Sequence, residues 1–189
     1  GGKASSLAVE RFVELIEESE QTDPIELMKT CIATVNQEII AESKENEKYA
    51  GMGTTFVAAT VSDHKVTVMN IGDSRLYYGN KELKQITVDH SYVEELINAG
   101  MLDREQGRIH PKKNVITRAL GSQVATPDFF EFEAEEGYLL LCSDGLSNMI
   151  SDEELKELLL EHSQIANKVN QMITRANEYG GKDNISLVI

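Results

Sequence analysis

The apolar residues of this chain change their period once, near Gly51, and that change limits the folds open to it. Before it the spacing is helical. Ile25, Met28, Ile32, Val35 and Ile39 follow one another at intervals of three and four. They sit behind Asp23-Pro24, an N-cap with proline at the first helical position. Ala4, Leu7, Ala8, Leu15 and Ile16 give an earlier apolar face over about residues 4–18. After Gly51 the texture is that of strands. Thr54–Val61 is β-rich, Asp63-His64 reads as a turn, and Lys65–Ile71 alternates. Arg75–Tyr78 and Leu83–Val88 follow, predicting a meander of antiparallel strands. Phe129–Glu133 and the strongly apolar Tyr138–Cys142 come later. Two further helices are predicted, one capped at Ser151 or Asp152 and one over about 165–179, before a last strand that ends at Ile189. Helices and antiparallel strands are segregated along the chain, which is the α+β class.

Between the strands, residues 89–121 do not alternate. Val93–Ile97 suggests a short helix ending near Gly100, Gly107–Lys113 is polar, and Val115-Ile116-Thr117 could form a short strand. An insertion of this size between strands reads as a lid. At 189 residues the chain is one domain, 1–189, with this flap inside it.

Charge removes some functions. Lys and Arg number 18 against 32 Asp and Glu, a net charge of −14. Such a balance repels phosphate backbones and anionic lipid, so nucleic-acid binding is not expected. No apolar run reaches the roughly 18 residues of a membrane-spanning helix and no signal peptide is visible. Cys31 and Cys142 lack metal-ligand spacing and read as buried free thiols in a reducing compartment. A cytoplasmic protein without membrane insertion is expected.

Nucleophile motifs fail in turn. Neither cysteine has an arginine six residues on: Asn148 and Gln37 stand there. Gly72-Asp73-Ser74-Arg75 is followed by Leu76, so there is no Gly-x-Ser-x-Gly elbow. Gly181-Lys182 lacks the rest of a P-loop. What remains is acidic residues at strand ends: Asp73 after Val68–Ile71, Asp144 after the most apolar strand, and Asp183 before the last one. Each has a small or polar neighbour, Gly72, Gly145 or Asn184. Carboxylates converging from strand ends suit hard divalent cations such as Mg²⁺ or Mn²⁺. The same dipeptides also serve as ordinary turns.

Six motifs occur in order: Gly51-Met52-Gly53-Thr54-Thr55, Gly72-Asp73-Ser74-Arg75, Asp89-His90-Ser91, Ile116–Gly121, Ser143-Asp144-Gly145-Leu146 and Gly181–Ser186. Together they resemble the bacterial branch of the metal-dependent Ser/Thr protein phosphatases, the protein phosphatase 2C family. The resemblance implies a sandwich of two antiparallel sheets with helices on both outer faces, a four-layer α-β-β-α arrangement. It implies Mn²⁺ or Mg²⁺ as cofactor, two catalytic ions and a third, weaker one. Asp144 and Asp183 would ligate one ion of the catalytic pair and Asp73 with Asp144 would hold the third. Asn184 would orient a ligand from behind, and Asp89, His90 and Ser91 would belong to the flap beside the substrate. The implied reaction is hydrolysis of phosphoserine or phosphothreonine in proteins by a metal-activated water, with a Ser/Thr protein kinase as antagonist. The family's amino-terminal segment carries a phosphate-binding Arg and an Asp-Gly-x-Gly-Gly strand end. Gly1-Gly2-Lys3-Ala4-Ser5 resembles the helix just after that segment, so the first strands are expected to be missing from this chain. A catalytically inactive interaction or regulatory module of the same fold is the alternative.

Overall fold

The computed structural model describes residues 2–123 and 125–189, so Gly1 of the opening stretch lies outside the described residues. Two helices come first, α1 (Gly2–Glu18) and α2 (Pro24–Glu45). Asp23 caps α2 by accepting from the Glu26 N–H, with Pro24 at the first turn. Strands β1 (Phe56–Ser62), β2 (Lys65–Ile71), β3 (Arg75–Gly79) and β4 (Leu83–Gln85) follow. Then come α3 (Tyr92–Asn98) and α4 (Arg104–Ile109), β5 (Asp128–Glu133) and β6 (Tyr138–Cys142). The short α5 (Asp144–Ser147), α6 (Asp152–Leu160), α7 (Ile165–Glu178) and β7 (Leu187–Val188) complete the order.

The strands form two antiparallel sheets, ordered β1-β2-β5 and β4-β3-β6-β7. The longer strands divide their side chains between two cores. From β2, Val66 and Val68 meet Leu76, Phe130, Phe132, Leu139 and Leu141 between the sheets. Met69 and Ile71 point the other way, against Met28, Ile32, Val35 and Ile39 of α2 and Ala8 and Phe12 of α1. On the second sheet, Tyr77, Leu140 and Cys142 face Leu155 and Leu159 of α6 and Met172 and Ala176 of α7. Three apolar layers therefore alternate with four structural ones, helices outside and sheets inside. This is the α+β sandwich that the resemblance implies. The unbroken apolar run Tyr138–Cys142 follows from its place: both of its faces are covered. Among the described residues no helix is long and apolar enough to cross a membrane.

Four details differ from the sequence-based expectations. The meander is not one sheet: β2 and β3 belong to different sheets, and the chain changes sheet at Gly72-Asp73. The predicted strand over 83–88 stops at Gln85. There Ile86 turns into the inter-sheet core, and the Thr87 hydroxyl accepts from the Leu76 N–H at 3.1 Å. A helix, α4, lies in the flap, closed by a capping box between Asp103 and Gln106. Val115-Ile116-Thr117 makes only an isolated bridge, Ser91 with Ile116, because its other neighbours are helices and turns.

Candidate metal centre

The register of the second sheet gathers the strand-end carboxylates. Arg75 pairs with Cys142 across β3 and β6. Carrying that antiparallel register two places further sets Asp73 opposite Asp144. On the other side of β6, Cys142 pairs with Leu187 of β7. The Ser143 N–H then donates to the Ser186 carbonyl at 2.9 Å. The Ser143 hydroxyl donates to the Asn184 carbonyl at 3.1 Å and accepts from the Ser186 N–H at 3.1 Å. A Cβ at Gly145 would overlap the Asn184 carbonyl oxygen. Only glycine lets the Asp183-Asn184 loop lie this close to the start of α5. All three aspartates thus stand on one rim.

Asp73 owes its place to the turn before it. Gly72 has φ +107°, and a Cβ there would overlap the Thr55 side chain. The Thr55 and Ser74 hydroxyls lie 2.8 Å apart, one donating to the other, and brace the turn from below.

The rim is electrostatically loaded. Burial pushes the Asp73 carboxyl up to about 6; Asp144 and Asp89 add to the rise, and Arg75 opposes it. Burial, and then the neighbouring Asp183, raise Asp144. Asp183 itself is exposed and accepts from the Asn184 N–H at 2.7 Å. A hard cation relieves such mutual repulsion, and the donors are all oxygen. Among the described residues, no group of three or more His, Cys, Asp or Glu encloses an ion by itself. The carboxylates fit an ion that keeps water or further oxygens in its shell.

The other sequence-derived candidates are engaged within the chain. Asp89 receives the Arg75 guanidinium bidentately, Nε at 2.9 Å and Nη2 at 2.6 Å. His90 and Ser91 are each 6% exposed; Ser91, like Asp89, still lines the small cavity at the rim, while the His90 ring is turned to Gly72. Ser91 caps α3 by accepting from the Glu94 N–H at 3.2 Å. Asn184 contributes its backbone carbonyl to Ser143, as above. Two contributors escape sequence reasoning. Asn148 donates to Asp144 Oδ2 at 3.2 Å, and only its place four residues on in a helix could have signalled it. Arg75 lies inside a recognised motif, but its partner Asp89 is fourteen residues away.

Asp73, Asp89, Asp144 and Asn148 line a cavity of about 100 Å³ together with Arg108 and Lys113 of the flap. A larger cleft of about 570 Å³ adjoins it, between β3–β4, the flap and the α5–α6 connection. Acidic groups on one wall and basic groups on the other suit an anion held against a cation.

Comparison with known proteins agrees with this fold. The protein phosphatase 2C family profile matches residues 1–186. A serine/threonine phosphatase Stp of Listeria monocytogenes serotype 4b is 42% identical over 166 residues, spanning 86% of this chain and 66% of that protein. A bacterial serine phosphatase crystal structure superposes with TM-score 0.92 at 33% identity, covering 99% of this chain and 78% of its own. The catalytic domain of the serine/threonine protein phosphatase PstP, solved with two manganese ions, gives TM-score 0.87 at 31% identity over 99% of this chain and 79% of its own.

Proposed function

The chain belongs to the protein phosphatase 2C family, and from that premise we propose that the protein removes phosphate from phosphoserine and phosphothreonine in other proteins, using Mn²⁺ or Mg²⁺. The observation that carries the proposal is the β3-β6-β7 register, which puts Asp73, Asp144 and Asp183 on one rim beside a cleft. Divalent ions held there would supply Lewis acidity toward phosphoryl oxygens and would lower the pKa of water enough for attack at neutral pH.

The chain's own residues do the holding. Asp144 stands between Asp73 and Asp183 and would serve both the catalytic and the additional ion; Asn148 donates to its carboxylate and so orients it. Asp183 completes the catalytic side, with Asn184 locking its loop through Ser143. Asp73 would serve the additional ion. Residues 89–121 form the flap of a single domain, 1–189, and Arg108 and Lys113 on it face the cavity where a phosphate meets the rim. The Arg75–Asp89 pair anchors the flap's first residue to the sheet that carries the rim. A cytoplasmic setting, with a Ser/Thr protein kinase as opposing partner, completes the proposal.

The test is Mn²⁺-dependent hydrolysis of a phosphopeptide by the full-length protein, with calorimetric Mn²⁺ titration alongside. Asp144→Asn should abolish most hydrolysis and weaken metal uptake by about tenfold or more. Phosphopeptide binding without any turnover would favour an inactive interaction module instead. Unchanged metal uptake by Asp144→Asn would remove the assignment.

A further inference from the structure

His90 is not among the residues that line the two cavities, yet its ring and backbone are fully committed. Both polar backbone groups of Gly72 go to this one residue. The Gly72 N–H donates to His90 Nδ1 at 3.1 Å, and the His90 N–H donates to the Gly72 carbonyl at 2.9 Å. An amide can only donate, so Nδ1 must be the acceptor and the ring's proton sits on Nε2. Nε2 in turn lies 3.0 Å from Asp128 Oδ2 and donates to it; Arg118 Nη1 stands 3.3 Å from the same nitrogen and, being a donor too, directs its own proton to Asp128. Asp128 is itself fixed: Arg118 Nη1 donates to its other oxygen at 2.7 Å, and its backbone pairs with Asn70 in the first sheet. The Thr117 N–H closes the knot by donating to the His90 carbonyl at 2.8 Å.

We infer that His90 is a positioning residue for Asp73: oriented by Asp128, it grips Gly72 and so sets the angle at which the next residue enters the metal rim. The inference rests on Asp73 being a metal ligand. Gly72 is where the chain leaves the first sheet for the second, and it sits at φ +107°, a conformation open to glycine, whose wide backbone freedom leaves its exact angle to be set by its partners. Asn70 Nδ2 assists, donating to the Gly72 carbonyl at 3.1 Å. The Gly72 N–H, however, has the His90 ring as its partner. A carboxylate that must meet an ion within a few tenths of an ångström depends on such support, as ligands do on the groups behind them.

The ring grips with one nitrogen and is oriented through the other, so two substitutions separate the halves. Asn at position 90 places a carbonyl oxygen near Nδ1 and keeps an acceptor for Gly72. Gln extends toward Asp128 and leaves Gly72 without one. In the full-length protein, calorimetric Mn²⁺ titration should show His90→Gln weakened about tenfold and His90→Asn within about threefold of the unaltered protein. The Gly72 amide should exchange its hydrogen faster in His90→Gln than in His90→Asn. In an Asp73→Asn background the same His90→Gln change should cost nothing more, because it acts through Asp73. An equal loss in both backgrounds, or none in either, overturns the inference. Nitrogen-15 NMR of the unaltered protein is an independent check: a proton on Nδ1 instead of Nε2 also overturns it. Asp73→Asn alone tests the underlying assignment, since full metal uptake there removes Asp73 as a ligand whatever His90 does.

Discussion

Lys168 is fully buried, an unusual place for an ammonium group. Its Nζ donates to the Leu159 carbonyl at 2.7 Å and to the Glu161 carbonyl, and stands 4.9 Å from the centre of the Tyr138 ring. It therefore caps the end of α6, where carbonyls lack helical partners and the helix dipole favours a cation. Lys168→Met keeps the volume and strands those carbonyls; it should cost about 2 kcal/mol in urea unfolding. A loss below about 0.5 kcal/mol would show that water caps α6 equally well. Burial pushes the Cys142 thiol up to about 12, and burial also raises Cys31. Both should resist a thiol reagent in the folded protein and react only on unfolding; fast labelling of the native state would contradict the packing. The sign for stability follows. The folded state keeps the Cys142 proton that the unfolded state gives up above about pH 8.5, so its share of stability is present below that pH and lost above it. The sequence makes the rim aspartates legible because each sits beside a small or polar residue at a strand end. It hides Lys168, because a lysine's burial depends on which helix end comes to rest over it.

At the scale of elements, legibility tracks how local the determinant is. The start of α2 shows in Asp23-Pro24, and β2 and β6 show in their own patterns, since capping and strand periodicity act within a few residues. The sheet change at Gly72 does not show, because a short connection between strands looks the same whether it turns back or crosses over. The same limit hides α4: its capping box, Asp103 with Gln106, is present, but the helix has only six residues and no apolar stripe. Instead Gly107 lets α3 approach, and a Cβ there would come within 2.9 Å of Val93 and Ile97. This thin packing sets a dynamic expectation. Met101 and Ile109 are 70% and 84% exposed, so amides of 103–110 should exchange well before those of β6. Equal protection of the two would mean that the flap is part of the core. The β6–β7 rim supplies a sharper test. Gly145→Ala must push the Asn184 carbonyl aside and with it Asp183. It should destabilise by about 1–3 kcal/mol and weaken Mn²⁺ uptake more than Ala substitution at exposed Gly100 does. Equal metal affinity in the two variants would detach Asp183 from the site.

On the scale of the whole molecule, the chain carries a charge of −14 and concentrates like charges on one rim. Folding brings Asp73 to Asp144, and Asp144 to Asp183, at a cost that grows as they ionise. The folded-state pKa of Asp73, about 6, lies above the ordinary carboxylate range. Its share of stability is therefore present at low pH and is lost as pH rises from about 4 through 6. On the proposed function a divalent ion would reverse the penalty, by binding the ionised carboxylates and displacing their protons. Its stabilisation should then grow across the same window. At one hundred times its dissociation constant, a ligand adds about 2.7 kcal/mol. For a protein of this size that raises Tm by about 5–10 °C. Scanning calorimetry of the full-length protein with millimolar Mn²⁺ should show a rise of that order at pH 7. At pH 5 the rise should be about half as large or less, because Asp73 then holds its proton. Sodium chloride at matched ionic strength should give little of the rise at either pH, since it screens the net charge without entering the rim. If sodium chloride reproduces the Mn²⁺ effect, the stabilisation belongs to the overall charge and not to the aspartate rim. If the Mn²⁺ gain is the same at pH 5 and pH 7, Asp73 takes no part in it.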